Sequence, residues 1–269
     1  GDYWRALQAF NANIVSHPLP IQDASLGDDL PQDGDRSVAL TSAFRYGEST
    51  LSSSGLLLNN PHNPTGQLFS RSAILPLLEQ FALVVIDEAF MDFLLPEQQQ
   101  SLIDLVPHYP NLVVIRSLTK FYSLPGLRLG YAIAHPDRLH RWQQWRDPWS
   151  VNSLAEVAAI AAIQDIPFQQ QTWNWLTSAR SQLWQGIAAQ PGLYPLPGAA
   201  NFLLVQCDRS VKALQQQLLK HHQILIRDCL SFPELGDRYF RVAVRTEAEN
   251  QRLIDGLAKT LERFVHASE

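Results

Sequence analysis

Short apolar runs that each end on polar residues dominate the first half of the chain. The runs at 55–59, 82–86 and 111–116 are unbroken and aliphatic, and polar side chains follow each of them directly. Strands that are covered on both faces by crossover helices show this pattern. A fourth run, at 129–134, is a candidate for one more strand. The pattern predicts an open α/β sheet whose polar strand ends converge on one crevice, because ligands of such sheets bind outside the carboxyl ends of the strands.

Apolar residues at helical spacing precede and follow the first of these runs. They predict a helix at 2–12, a short strand at 13–16, and a helix from a Ser70 cap to about residue 80. The chain opens within the first helical pattern, and its single methionine is Met91. We therefore expect that the sequence begins inside a larger protein.

The pattern changes after residue 150, where short strands alternate with longer helices. The predicted elements are helices at 153–164, 168–190, 211–221 and 247–264, and strands at 202–206, 223–227 and 239–244. This is an α+β pattern rather than a continuation of the first sheet. We expect a large domain at 1–149, incomplete at its N-terminus, and a small α+β domain at 150–269.

Composition narrows the classes of partner. With 46% hydrophobic and 17% charged residues, the 269-residue chain has the composition of a soluble globular protein. A formal net charge of −5 without a basic block argues against nucleic acid, and no apolar stretch approaches the roughly 18–20 residues that span a bilayer. The only cysteines, Cys207 and Cys229, lack CxxC spacing, which favours buried reduced thiols and a cytoplasmic location over a disulfide.

Three polar residues near the ends of the apolar runs have side chains that could together bind an aldehyde cofactor. Lys120 follows the third run and offers an amine that can form a Schiff base with an aldehyde cofactor. Asp87 ends the second run and can pair with a protonated pyridine nitrogen. Asn63 lies in an Asn-Pro-Thr-Gly turn, from which its amide can donate to a phenolic oxygen.

Hydroxyl and guanidinium groups flank the same lysine. Ser117 and Thr119 precede it, and Arg128 follows eight residues later. Hydroxyls and arginine are common phosphate-binding groups, so these three residues are candidates for holding a cofactor phosphate.

The motifs that contain these residues occur in a specific order. They are Asn60-Pro61-His62-Asn63-Pro64-Thr65-Gly66, Asp87-Glu88-Ala89-Phe90, and Ser117-Leu118-Thr119-Lys120 with Gly126-Leu127-Arg128-Leu129-Gly130-Tyr131. In order and spacing they resemble the fold-type I pyridoxal-phosphate (PLP) enzymes of the class I/II aminotransferase superfamily. Within it the chain is similar to the histidinol-phosphate aminotransferase branch, and most similar to the L-threonine-O-3-phosphate decarboxylases of cobalamin biosynthesis. That finer resemblance is carried by Arg116–Tyr122, Pro125–Arg128, Pro148–Asn152, Ile224–Arg227 and Arg238–Arg245.

The resemblance implies a fold, a cofactor and a role for each matching residue. The fold would be that of PLP-dependent transferases of type I, with a mainly parallel sheet flanked by helices and a smaller C-terminal domain, assembled as a homodimer. Lys120 would form the Schiff base with pyridoxal 5′-phosphate, Asp87 would pair with the pyridine nitrogen, and Asn63 would donate to the ring oxygen. The cofactor phosphate would be bound by Ser117, Thr119 and Arg128.

Two arginines near the C-terminus bear on the substrate. Arg241 matches the arginine that binds the substrate α-carboxylate in this superfamily, and Arg245 stands where the aminotransferase branch commonly has glycine. If both lie on one strand, they share a face, because side chains alternate along a strand. Such a pair suits a substrate with a carboxylate and a phosphate, and favours a phosphorylated amino acid. Arg245 as a solvated ion-pair partner is the competing interpretation.

Two departures from the family pattern affect the expected activity. Phe90 stands three residues after Asp87, where aminotransferases often carry a tyrosine that contacts the ring oxygen. Loss of that hydrogen bond, worth about 0.5–1.5 kcal/mol, is expected to disfavour transamination. The family's N-terminal segment, with its phosphate-binding loop, is absent from the sequence, so we expect the 269-residue chain alone to bind PLP weakly and to have little activity.

Three functions remain open on sequence alone. Decarboxylation of L-threonine O-3-phosphate to aminopropanol phosphate is favoured, a histidinol-phosphate-type aminotransferase is the first alternative, and a catalytically impaired domain is the second. The same residues serve decarboxylation and transamination, so the preference rests on local resemblance. No metal site is expected, because His221 and His222 have no carboxylate or cysteine partner at a suitable spacing.

Overall fold

The described residues of the first half of the chain form a sheet of four strands. The computed structural model describes residues 2–17, 19 and 54–266. The strands are β1 (Gly55–Asn59), β2 (Leu83–Asp87), β3 (Leu112–Ser117) and β4 (Gly130–Ala134), in that spatial order. β1, β2 and β3 are parallel, and β4 pairs antiparallel with β3. The prediction of an α/β fold with a mainly parallel sheet is confirmed.

The helix between β1 and β2 covers one face of this sheet. Helix α2 (Arg71–Gln80) begins where predicted, because Ser70 Oγ accepts from the Ala73 N–H at 3.3 Å. Its C-terminal end is tied to the start of β3 by Asn111, whose Nδ2 donates to two backbone carbonyls. The fully buried core between helix and sheet comprises Ile74, Leu77, Val84, Ile86, Leu112 and Val114. This packing gives the strand ends a rigid support.

Two N-terminal predictions have different outcomes. Helix α1 (Asp2–Ala9) forms as expected but ends before residue 12. The prediction of a strand at 13–16 is wrong, because the segment pairs with none of the described strands and so has no ladder of hydrogen bonds. A short run of β-compatible residues does not make a strand without a partner.

Three helices link the two halves of the chain. The sequence pattern missed α3 (Pro136–Trp145), which is mainly polar and has no fully buried residue to impose a periodicity. Helix α4 (Ser153–Gln164) is capped by Asn152, and α5 (Ile166–Ala188) by Asp165. Among the described residues, no helix is both long and apolar enough to cross a membrane.

A second sheet of four antiparallel strands follows. It contains β5 (Leu193–Pro195), β6 (Phe202–Cys207), β7 (Arg227–Asp228) and β8 (Tyr239–Ala243), in the order β5-β6-β8-β7. Its helices are α6 (Val211–His222) and α7 (Glu247–His266). Of the predicted strand at 223–227, only Arg227 lies in a strand, the two-residue β7, and β5 was not predicted. Both elements are too short for a clear alternation of apolar and polar residues.

The core beside the second sheet includes side chains from both halves of the chain. Its fully buried members include Ala179, Leu183, Ile187, Val205, Leu214, Leu218, Phe240 and Leu257. Phe93 and Phe121, which come from the segments that follow β2 and β3, pack into the same core. The two sheets lie on either side of residue 150, and the proposed domain limits at 1–149 and 150–269 stay a prediction.

Candidate active site

The structure brings Asp87 and Lys120 to one edge of the first sheet. Asp87 is the last residue of β2, and Lys120 follows the end of β3 by three residues. In the parallel register Asp87 lies opposite Ile115, so both strands end at the same edge. Burial raises the pKa of the Asp87 carboxyl, and the backbone N–H of Ala89 and the Lys120 ammonium lower it to a smaller extent. The two groups therefore act on each other across one crevice.

Three donors hold the Asp87 carboxylate. The Tyr3 hydroxyl on α1 and Asn59 Nδ2 both donate to Asp87 Oδ2, the latter at 3.1 Å. The Ala89 N–H donates to Oδ1 at 2.9 Å. Sequence reasoning missed Tyr3 and Asn59. Asn59 ends the first apolar run and lies opposite Asp87 in the sheet register, so its polar position was a usable signal, whereas nothing local marked Tyr3.

The turn that contains Asn63 is fixed to the rest of the fold at both sides. Asn60 is fully buried, and its amide bonds the backbone of Phe69 in both directions, at 3.0 and 2.9 Å. At the other end, Gly66 has φ +75° and lies against Gly198, with no room for a side chain at ordinary contact distance. The Asn63 side chain is thus presented from a rigid turn.

Asn63 and Arg241 are in direct contact. Arg241, on β8, donates from Nη1 to Asn63 Oδ1, and its guanidinium lies 4.8 Å from the centre of the Phe202 ring. Because a guanidinium only donates hydrogen bonds, the Asn63 oxygen must face it, and the Asn63 NH₂ group is the end left to donate elsewhere. Burial, and to a smaller extent the charge of Arg227, lower the pKa of Arg241. A hydrogen bond thus joins two residues that are 178 positions apart in sequence.

The candidate phosphate-binding residues are only partly assembled. Ser117 Oγ and Thr119 Oγ1 lie 2.7 Å apart at the end of β3. Arg128 is exposed and in the left-handed conformation, with φ 52°, and its Nη1 donates to the Pro125 carbonyl at 3.0 Å. The two hydroxyls are therefore in contact with each other, and the Arg128 side chain binds the backbone of the turn that contains it. The role of Arg128 in phosphate binding stays a prediction.

Arg245 lies outside the strand that contains Arg241, so the condition for a shared strand face is not met. Strand β8 ends at Ala243, and Arg245 is exposed in the following turn. Its Nε and Nη2 donate to Glu249 Oε1 on α7 at 2.9 and 2.7 Å. Arg241 and Arg245 do not share a strand face, because the chain leaves the sheet before Arg245 to start α7. The ion pair between Arg245 and Glu249 is the interaction that the competing interpretation expected.

Arg241 and Arg245 nevertheless line one cavity of about 600 Å³ between the second sheet and α7. Lys120, Arg227 and Arg252 also line it, and Glu249 is the acidic residue of the described lining. Arg227, on β7, lies opposite Arg241 in the register. A cavity with five cationic side chains and one carboxylate suits a ligand with more than one negative charge.

A buried ion network lies behind the strand ends. Arg116 Nε donates to Glu88 Oε2 at 2.9 Å, its Nη2 donates to Ser101 Oγ at 3.0 Å, and its Nη1 donates to Asp92. Glu88 is adjacent to Asp87, and Arg116 precedes Ser117 at the end of β3. The network therefore joins the ends of the two strands from the face opposite the site.

Residues 39–257 match the family model "Aminotransferase class I and II". The chain belongs to this aminotransferase family. The motif-based assignment to the class I/II superfamily is thereby confirmed, and so, at the level of the family, is pyridoxal 5′-phosphate as the cofactor.

Two curated relatives represent the two branches of the family that the motifs resembled. The aminotransferase-family chain is 41% identical over 215 residues to the threonine-phosphate decarboxylase of Salmonella typhimurium, covering 77% of this chain and 57% of that protein. It is 36% identical over 208 residues to histidinol-phosphate aminotransferase 1 of Nitrosococcus oceani, covering 76% and 55%. The chain thus spans less than two thirds of the length of these relatives.

A solved structure confirms the fold. Histidinol-phosphate aminotransferase from Sinorhizobium meliloti, in complex with pyridoxal-5′-phosphate, matches with a TM-score of 0.78 and 23% identity. The match covers 97% of this chain and 68% of that one. At this identity the likeness shows the fold of the aminotransferase family and no finer function.

Proposed function

We propose that this chain is the catalytic region of a PLP-dependent decarboxylase that converts L-threonine O-3-phosphate to aminopropanol phosphate in cobalamin biosynthesis. The observation that carries the proposal is the 41% identity to the Salmonella threonine-phosphate decarboxylase, against 36% for the Nitrosococcus aminotransferase. The cationic cavity beside Lys120 supports a substrate with both a carboxylate and a phosphate.

The residues at the strand ends fit the cofactor in their donor chemistry. Asp87 is a mostly buried carboxylate that can hold a ring nitrogen in its protonated form, and the Asn63 NH₂ group can donate to the ring oxygen. The Ser117 and Thr119 hydroxyls can hold the phosphate, with Arg128 as the third predicted contact. When bound, PLP supplies an electron sink for negative charge at the substrate α-carbon.

The arginines of the cavity divide the substrate's charges between them in this proposal. Arg241 binds the α-carboxylate, since it contacts Asn63 at the cofactor end of the cavity. Arg245 binds the phosphate, and Arg227 assists because it lies beside Arg241 on the neighbouring strand. Arginine suits both groups, because its planar donor pair matches the spacing of carboxylate and phosphate oxygens.

The reaction depends on which bond of the α-carbon is oriented for cleavage. Arg241 holds the carboxylate so that the bond between it and the α-carbon breaks and carbon dioxide leaves. The electron pair stays on the α-carbon and takes up a proton, which the Lys120 ammonium delivers. Phe90, whose ring centre lies 6.0 Å from Lys120 Nζ, makes this end of the site apolar where aminotransferases often place a hydroxyl.

A histidinol-phosphate-type aminotransferase is the second candidate, supported by the Nitrosococcus relative. In that case the α-hydrogen is removed by Lys120 and the carboxylate stays. A catalytically impaired domain is the remaining alternative, against which the joint presence of Lys120, Asp87 and Asn63 argues.

Product analysis of the full-length protein with PLP distinguishes these candidates. We expect carbon dioxide and aminopropanol phosphate from L-threonine O-3-phosphate, and no glutamate from histidinol phosphate plus 2-oxoglutarate. The variant Arg241→Lys should lower kcat/KM by about 100-fold, because an ammonium cannot replace a paired donor (~3 kcal/mol). Glutamate formation without carbon dioxide would assign the protein to the aminotransferases, and neither product would support the impaired domain.

We further propose that the protein is a homodimer. Trp149 and the apolar residues Leu154, Val157, Ile160 and Ile163 of α4 are exposed, and Trp149 is 89% exposed. Apolar surface of this extent on one helix is typical of an interface between subunits. The cytoplasmic location stays a prediction.

A further inference from the structure

Helix α1 lies mostly on the surface but reaches one buried group. Trp4 on this helix is exposed, and Phe10, the residue that follows the helix, is 88% exposed. Tyr3 is also partly exposed, yet its hydroxyl donates to the Asp87 carboxylate, 84 positions away in sequence. A surface helix therefore contributes a polar contact to the candidate cofactor site.

Among the described residues, the hydrogen bonds donated to Asp87 leave one acceptor position. An ionised carboxylate can accept about four hydrogen bonds, two on each oxygen. Oδ2 accepts from Tyr3 and Asn59, and Oδ1 accepts from the Ala89 N–H. Oδ2 is thus saturated, and the remaining acceptor position lies on Oδ1.

We propose that Tyr3, together with Asn59, is a positioning residue that fixes the rotation of the Asp87 carboxylate and directs its one remaining acceptor position to the cofactor's ring nitrogen. The inference rests on the proposed cofactor-binding role of Asp87. Neither Tyr3 nor Asn59 needs to touch the cofactor or the substrate, since each acts through the carboxylate.

Both donors also favour the charged form of Asp87. The titratable groups that face it in the described part of the chain are Tyr3 on α1 and Lys120 after β3. Burial raises the pKa of Asp87. A hydrogen bond donated to the charged carboxylate favours that form, and a neutral donor does so without adding charge to the crevice. An ionised Asp87 is the form that keeps a pyridine nitrogen protonated.

The test is a carboxyl ¹³C NMR titration of Asp87 in the cofactor-free, full-length protein. Tyr3→Phe removes only the hydroxyl, so the pKa of Asp87 should rise, and adding Asn59→Leu should raise it further. Trp4→Phe, a change at the neighbouring exposed aromatic of α1, is the matched control and should leave the titration unchanged. An unchanged pKa of Asp87 in both Tyr3→Phe and the double variant overturns the inference.

A second measurement, of PLP affinity, distinguishes a Tyr3 that orients Asp87 from a Tyr3 that competes with the cofactor for it. Tyr3→Phe should weaken PLP binding by about tenfold, the loss expected for one hydrogen bond to a charged group, and should shift the pH dependence of the bound cofactor's absorbance. Tighter PLP binding would mean that Tyr3 occupies the acceptor that the cofactor needs, which contradicts the inference. If Asp87→Ala leaves PLP affinity intact, the proposed role of Asp87 fails independently, because the NMR titration uses neither cofactor nor substrate.

Discussion

At the scale of single residues, the proposal depends most on Lys120. Its position after β3, in the same crevice as Asp87, is what a lysine that bonds an aldehyde cofactor requires. The neighbouring Asn63 and Arg241 are joined by a hydrogen bond, so the proposed cofactor-binding and substrate-binding residues are linked through one amide. These contacts support the roles that the motifs implied, and direct chemical tests are available.

Borohydride reduction of the PLP-loaded, full-length protein should attach the cofactor to Lys120 alone. Reduction makes the bond between the cofactor aldehyde and the lysine amine permanent, and peptide mapping then locates it. Lys120→Ala should abolish the labelled peptide, whereas Lys212→Ala, a change at a lysine on α6, should not. A label on any other lysine contradicts the assignment.

At the scale of elements, the Asn63 turn should make stability depend on pH. Burial lowers the pKa of His62 to about 4, and its Nδ1 lies 2.8 Å from Thr65 Oγ1. The folded state thus favours neutral His62, whereas the unfolded chain binds a proton near pH 6.5. Its contribution is fully present above pH 6.5 and is lost as the pH falls toward 4, up to about 3 kcal/mol.

Urea unfolding at pH 7.5 and pH 5 tests this dependence. His62→Asn should reduce the stability difference between the two pH values, because the group that takes up the proton on unfolding is removed. His108→Asn, at an exposed histidine, is the control and should retain the wild-type difference. An equal pH dependence in wild type and His62→Asn would show that the turn is not the source.

The buried ion network that joins β2 and β3 should be a major source of stability. Arg116→Met leaves the buried Glu88 and the partly buried Asp92 without their cation, and should lower the free energy of unfolding by about 3–5 kcal/mol. The same substitution at Arg71, whose ion pair with Asp104 is exposed, should cost no more than about 1 kcal/mol. Comparable losses in the two variants, measured by urea denaturation, would contradict this account.

At the scale of the whole molecule, the exposed face of α4 should control association. Val157→Lys puts a charge in the centre of that face and should weaken dimerisation at least about tenfold in sedimentation equilibrium. Leu219→Lys, at an exposed leucine of α6, should leave the association constant unchanged. A monomeric wild type, or a dimer unaffected by Val157→Lys, would exclude this interface.

The residue pattern alone determined the strands of the first sheet, the helix capped by Ser70 and the order of the catalytic motifs. These features are local, since alternation, helical spacing and caps act over a few residues. For the same reason the pattern missed α3 and β5, whose apolar positions are too few to show a period, and wrongly assigned a strand at 13–16. The family and its cofactor followed from motif order and were confirmed.

Only the tertiary structure decided which distant groups meet. Tyr3 and Asp87 are 84 positions apart, and Arg241 and Asn63 are 178 apart, so no local pattern relates them. The same holds for Arg227, which reaches the cavity through its pairing with Arg241, and for Arg245, which leaves the strand to pair with Glu249. The sequence determines which chemical group each residue carries, but the packing of sheets and helices determines which groups are in contact.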